Sequence, residues 1–285
     1  MIIDGKKIAE DLRSNLKKDI GQIPSTQTKP GLTVILIGED AASQIYVKNK
    51  EKFANEIGIH SEVIKFNSAI TEQELIKQIH KLNNNNAVHG ILVQLPLPGH
   101  ISSKKIISEI NPNKDVDGFH PLNVGNLSSG NESLIPCTPY GCYLLLKNVI
   151  TNLSGLHAVI IGRSNINGKP MAQLLLKEDC TVTIAHSKTK NLKELCLTAD
   201  ILIASAGKAQ MVKEDWVNKD CVVIDVGINR IEENGNKKIV GDVDFENLKN
   251  KVKAITPVPG GVGPMTISCL LNNTYKAYKK LIQIS

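Results

Sequence analysis

His157-Ala158-Val159-Ile160-Ile161-Gly162-Arg163-Ser164-Asn165-Ile166-Asn167-Gly168-Lys169-Pro170-Met171 decides how this chain is read. Its first five residues form a short apolar run of the kind that makes a buried parallel strand. Gly162-Arg163-Ser164 breaks that pattern, and after Gly168 and Pro170 a helical run opens at Met171-Ala172-Gln173-Leu174-Leu175-Leu176. Strand, glycine turn and helix start together aim backbone N–H groups and the positive end of a helix dipole at a phosphate. The spacing, Gly162-x-Ser164-x-x-x-Gly168, departs from the strict G-x-G-x-x-G. On these residues alone an ordinary βα turn would read the same way.

The next unit carries the reading further. A second strand, Thr181-Val182-Thr183-Ile184-Ala185, ends in His186-Ser187-Lys188-Thr189. An NAD site usually has Asp or Glu at this strand end for the ribose 2′-OH. Here Ser187 and Lys188 stand in its place, and Arg163 in the first turn supplies a second cation. A hydroxyl and two cations suit a 2′-phosphate, which a carboxylate would repel. The site is read as NADP-preferring; without the glycine turn, His-Ser-Lys-Thr would read as a solvated loop.

Strand and helix patterns alternate along nearly all of the 285 residues, which predicts an α/β protein with parallel sheets and enough length for two domains. The pattern breaks near Thr138, where Thr138-Pro139 reads as N-cap and first residue of a helix. The last helix is expected from about Thr266. Ligands should sit at the carboxyl ends of the strands, in a cleft that both domains face. A net charge of +6 is mild and spread along the chain, so nucleic acid is not implied. No apolar run approaches a membrane span, and the start, Met1-Ile2-Ile3-Asp4-Gly5, lacks a signal-peptide pattern. Six cysteines without metal-ligand spacing point to buried thiols in a reducing cytoplasm, and no metal is expected.

The unusual residues stand at strand ends. Tyr46 and Lys50 are i and i+4 on one helix face, so ring and ammonium are neighbours. A Lys desolvated there could serve as acid or base near neutrality, although with Lys48 and Lys52 beside it the pattern alone favours a Lys-rich exposed helix with an incidental tyrosine. Val93-Gln94-Leu95-Pro96-Leu97-Pro98 is a stiff loop presenting one amide. Asp115-Val116-Asp117-Gly118 has too few ligands for a metal; a single Asp reading the N–H pair of a heterocycle fits better, with a plain Asp-Gly turn as the alternative. Pro257-Val258-Pro259-Gly260-Gly261-Val262-Gly263-Pro264 combines stiffness with close backbone approach.

In this order, Tyr46-x-x-x-Lys50, Gln94-Leu95-Pro96-Leu97-Pro98, Asp115-Val116-Asp117-Gly118, Pro136-Cys137-Thr138-Pro139, Gly162-Arg163-Ser164 and Pro257 to Thr266 resemble the bifunctional methylenetetrahydrofolate dehydrogenase/cyclohydrolase family over essentially the whole chain. One departure is Asn167, where the family usually has an apolar residue. The resemblance implies a folate-binding catalytic domain over 1–138, completed by 266–285, and a Rossmann-like NADP domain over 139–265. It implies oxidation of 5,10-methylenetetrahydrofolate with NADP+ and hydrolysis of the methenyl product to 10-formyltetrahydrofolate, in one-carbon metabolism that serves purine biosynthesis, by a homodimer. A dehydrogenase lacking the hydrolase is the alternative. Carried over residue by residue, Lys50 would be the acid/base, Gln94 its assistant, Tyr46 the packing surface for the folate rings and Asp117 the hold on the pterin edge. Pro259, Gly260 and Gly261 would line the substrate. Gly162, Arg163, Ser164 and Ser187 would hold the cofactor phosphates, with Ile228 near the nicotinamide or its ribose.

Overall fold

Short apolar runs become parallel strands here, and the amphipathic segments between them become the helices that cover them. The computed structural model describes residues 1–233 and 235–284. The chain divides into two compact units: Asp11–Cys137 with the chain from Ile267, and Met1–Glu10 with Thr138–Thr266.

The elements that belong mainly to the first unit are α1 (Gly5–Gly21), β1 (Gly31–Ile37), α2 (Ala41–Glu56), β2 (His60–Phe66), α3 (Glu72–Asn83), β3 (Gly90–Val93), α4 (Ser103–Glu109) and α5 (Pro121–Ser128). Its parallel sheet has the order β2-β1-β3, in register from Gly31↔His60 to Ile37↔Phe66 and from Leu32↔Gly90 to Ile35↔Val93. The central strand β1 is buried throughout. Ile35, Leu75, Ile79, Ile91 and Ile106 form the core on one of its faces. Local chemistry sets the helix ends. Asp40 caps α2 by accepting from Ser43 N, and Gly58 follows it with φ +87°, a conformation that favours glycine. The Thr71–Glu74 capping box at the start of α3 makes both of its reciprocal bonds.

In the second unit follow α6 (Cys137–Val149), β4 (His157–Ile161), α7 (Gly168–Lys177), β5 (Thr181–Ala185), α8 (Leu192–Leu197), β6 (Ile201–Ala204), β7 (Val222–Asp225), the hairpin β8 (Asn229–Glu233) and β9 (Asn236–Val240), α9 (Phe245–Leu248) and β10 (Ala254–Ile255); α10 (Val262–Ile284) starts in this unit and from Ile267 on belongs to the first. The parallel sheet has the order β10-β7-β6-β4-β5. From β4 the chain goes to β5 on one side and then to β6 on the other. The carboxyl end of β4 is thus the switch point where open α/β sheets take ligands, and Gly162 follows it directly.

Five details differ from the sequence reading. Met1–Glu10 lies with the second unit instead of opening the first. Its leading residues extend the sheet beside β10, with Ile3 N donating to Ile255 O (2.9 Å) and Ile255 N to Met1 O (3.0 Å). Thr138 is inside α6, not its cap, and its hydroxyl meets Thr266 Oγ1 at 3.1 Å. Helix α7 opens at Gly168, three residues early, and α10 at Val262, four residues early. Pro264 then falls in the first turn of α10, where its missing N–H costs little. The β8–β9 hairpin has no signal in the sequence, because NRIEE and NKKIV lack an apolar alternation.

Candidate active site

In the first unit, α2 carries Tyr46 and Lys50, four residues apart and so on one face. Lys50 is 5% exposed. Its ammonium donates to Gln94 Oε1 (2.9 Å) and lies 4.9 Å from the centre of the Tyr46 ring. Gln94 immediately follows β3, and its backbone N–H continues the sheet to Ile35 O (2.9 Å). Its own Nε2 donates to Leu95 O (2.7 Å), which fixes the amide so that oxygen faces the lysine. Burial pulls the Lys50 pKa down, and the nearby Asp117 opposes that only in part. Its neighbours Lys48 and Lys52 are exposed; burial singles out Lys50, which charge pattern cannot do.

Asp117 stands on a loop clamped from two sides. Gly118 has φ +73°, and a Cβ there would overlap the backbone of Ile135 and Pro136. Asn273 of α10 donates to Val116 O (2.9 Å) and to Ile135 O (2.8 Å), tying the residues on either side of this crossing. Burial pushes the Asp117 carboxyl up to about 6, with Lys50 pulling the other way and Asp115 adding to the rise. Asp115 itself is structural: it accepts from His120 N (2.8 Å) and Asn123 Nδ2 (2.9 Å). Among the described residues there is no group of three or more His, Cys, Asp or Glu arranged to hold a metal. The six cysteines are buried thiols. Asn273 went unnoticed in the sequence. A polar residue on the apolar stripe of Leu270, Leu271 and Ala277 was the available signal.

The second unit holds the glycine turn. Gly162 has φ +133°, and a Cβ on it would overlap Ser205 O; one on Gly168 would overlap Gly162 O. The turn is therefore drawn in to a radius that only glycine permits, which is what a backbone cradle for phosphate requires. Arg163 and Ser164 are exposed on its rim. Ser187 is exposed one residue beyond His186, on the neighbouring strand end, where Gly162 N donates to Ala185 O (2.8 Å). Ile228, 66% exposed, follows β7 on the same carboxyl edge of the sheet. Asn167 is buried. Its Nδ2 donates to Ser205 Oγ (2.6 Å), while Oδ1 is buried without a hydrogen-bond partner. The glycine cradle at the start of α7 fits the phosphates of a dinucleotide. Pro259, Gly260 and Gly261 belong to this unit too. Gly260 has φ +110°, and Gly261 is pressed so closely that a Cβ on Gly5 would overlap its carbonyl.

Residues 3–117 match the catalytic domain of the tetrahydrofolate dehydrogenase/cyclohydrolase family, and residues 136–282 match its NAD(P)-binding domain. The chain belongs to this family. It is 60% identical to the bifunctional protein FolD of Pelagibacter ubique over 98% of this chain and 99% of that one. The crystal structure of the bifunctional FolD methylenetetrahydrofolate dehydrogenase/cyclohydrolase of Campylobacter jejuni superposes with a TM-score of 0.95 at 49% identity, covering 98% of this chain and 99% of that one. The Trypanosoma brucei FolD structure, complexed with NADP cofactor and inhibitor, does so with a TM-score of 0.95 at 34% identity, covering 99% and 98%. In this family member the Lys50 cluster lies wholly within the catalytic-domain match, and the glycine turn within the NAD(P)-binding match.

Proposed function

We propose that this family member oxidises 5,10-methylenetetrahydrofolate with NADP+ and hydrolyses the 5,10-methenyl product to 10-formyltetrahydrofolate. The observation that carries the reading is the buried ammonium of Lys50, held by Gln94 over the Tyr46 ring and beside Asp117. NADP+, when bound, supplies the acceptor for the hydride that leaves the one-carbon bridge. The substrate's own nitrogen lone pair drives that departure, so the protein needs no base for it; its task is to orient the reactants. Arg163, Ser164 and Ser187 hold the phosphates around the Gly162 turn, and Ile228 supports the nicotinamide end.

Hydrolysis is different, because a proton must leave the attacking water and another must reach the departing ring nitrogen. Lys50 can do both when burial brings its acidity toward neutrality. Gln94 Oε1 accepts one ammonium hydrogen and so fixes where the remaining ones point. Tyr46 gives the flat rings a packing surface. Asp117, ionised above about pH 6, accepts from the N–H pair on the pterin edge. Pro259, Gly260 and Gly261 present a stiff backbone to the substrate.

The same reading takes the protein as a cytoplasmic homodimer that feeds formyl groups to purine biosynthesis, with neither nucleic acid nor membrane as a partner. No described helix is long and apolar enough to cross a membrane. The test mixes purified protein with methylenetetrahydrofolate and NADP+ and follows NADPH and methenyl absorbance separately. NADPH should rise while methenyl stays low. Stoichiometric methenyl accumulation would instead establish a dehydrogenase without the hydrolase.

Cofactor choice gives a sharper check. Arg163→Ala removes the exposed cation at the turn and should weaken NADP+ by about 1–3 kcal/mol, with NAD+ nearly unaffected. Titration calorimetry with both dinucleotides measures it, and equal losses would exclude Arg163 from the 2′-phosphate.

A further inference from the structure

Two buried carboxylates in the second unit have no part in the chemistry above, yet they organise the loops beside it. Asp225 ends β7 and accepts from Gly227 N (2.9 Å) and Asp242 N (2.9 Å) through Oδ1, and from Val243 N (2.9 Å) through Oδ2. Asp242 is fully buried after β9. Its Oδ2 accepts from Ala206 N (2.6 Å) and Gly207 N (2.9 Å), and its Oδ1 from Lys208 N (2.9 Å) and Asn229 Nδ2 (2.8 Å). The two acids admit each other only because glycines face them. A Cβ on Gly227 would overlap the Asp242 carboxylate, and one on Gly241 would overlap that of Asp225.

These seven hydrogen bonds join the loop after β6, the loop after β7 and the segment after β9. Ile228 stands between two of the tethered residues: Gly227 is held by Asp225 and Asn229 by Asp242. An isoleucine two-thirds exposed on a loop would normally cost order; here both flanks are pinned. The loop after β6 also carries Ser205, which receives the Asn167 hydrogen bond from the glycine turn.

We propose that Asp242, seconded by Asp225, is a positioning residue for hydride transfer, holding Ile228 as a fixed apolar support at the nicotinamide end of the cofactor. This rests on the placement of Ile228 given above. Asparagine cannot replace Asp242, since each of its oxygens accepts two N–H donors and any amide orientation would turn an NH₂ toward two of them. Asn229→Ala cuts only the tether beside Ile228 and leaves the rest of the network intact.

The experiment compares Asp242→Asn, Asn229→Ala and Ile228→Ala. In cofactor-free protein, amide hydrogen exchange at Ala206, Gly207 and Lys208 should quicken by about tenfold or more in Asp242→Asn, one lost charge-assisted bond being worth roughly that factor. Dehydrogenase kcat should fall by about tenfold in Asp242→Asn and by less in Asn229→Ala, with a smaller change in the KM for NADP+, while hydrolysis of supplied methenyltetrahydrofolate holds in all three. A silent Ile228→Ala overturns the placement of Ile228. An impaired Ile228→Ala beside unchanged hydride transfer in both Asp242→Asn and Asn229→Ala overturns the inference alone. Parallel loss of both activities in Asn229→Ala, with a lowered melting temperature, makes the network merely structural and overturns it as well.

Discussion

Lys50→Met should lose methenyl hydrolysis by about 10²–10⁴-fold, the usual worth of a positioned acid/base, while still reducing NADP+ with methylenetetrahydrofolate. Methenyl would then accumulate in the coupled assay. Methionine keeps most of the side-chain volume in a site where Lys50 is 5% exposed, and it has no charge to desolvate there. Lys50→Arg should be equally dead in hydrolysis, because guanidinium does not release its proton. The variants are best compared at pH 8. Lys50 is what pulls the Asp117 carboxyl down against burial, so without it that acid moves above 6 and folate binding at neutral pH would fall for a secondary reason. In the wild-type protein the hydrolysis rate should titrate with an apparent pKa below that of an ordinary lysine, as burial requires. Normal hydrolysis by Lys50→Met would leave Lys50 as packing.

Asp117→Asn should cut both activities by about two orders of magnitude, each lost charge-assisted bond to the pterin being worth about 1.5–3 kcal/mol. It should also raise the melting temperature at pH 8. In the unfolded chain this carboxyl titrates near 3.8 and in the fold near 6. Below pH 4 it is neutral in both states and has no linkage cost. Between 4 and 6 the unfolded chain ionises first, so stability falls as pH rises, and above 6 the cost is complete. The amide removes that cost, so the gain in melting temperature should appear above pH 6 and vanish below 4. For the wild type, kcat/KM with either folate substrate should drop as pH falls through about 6. If NADP+ binding weakened while folate binding held, Asp117 would belong to the other ligand.

Much of this was already legible in the residues. Apolar runs such as GLTVILIG and HAVII form strands in any context that buries them, and the Thr71–Glu74 capping box is a four-residue device whose partners are local. The Gly162 turn was readable because glycine there answers to backbone sterics within one βα unit. The i, i+4 spacing of Tyr46 and Lys50 was likewise enough to make them neighbours. What the sequence could not decide was which lysine of α2 is desolvated: Lys48, Lys50 and Lys52 share one composition, and only burial under β3 and its Gln94 separates them. The sequence was also silent on Asn273 clamping the Asp117 loop from 156 residues away, and on the first residues of the chain pairing with Ile255. The Asp225–Asp242 network was invisible for the same reason. Its donors come from loops that follow three different strands, and a hydrogen bond between distant segments leaves no periodicity in the chain, so only the packed sheet brings such partners into reach.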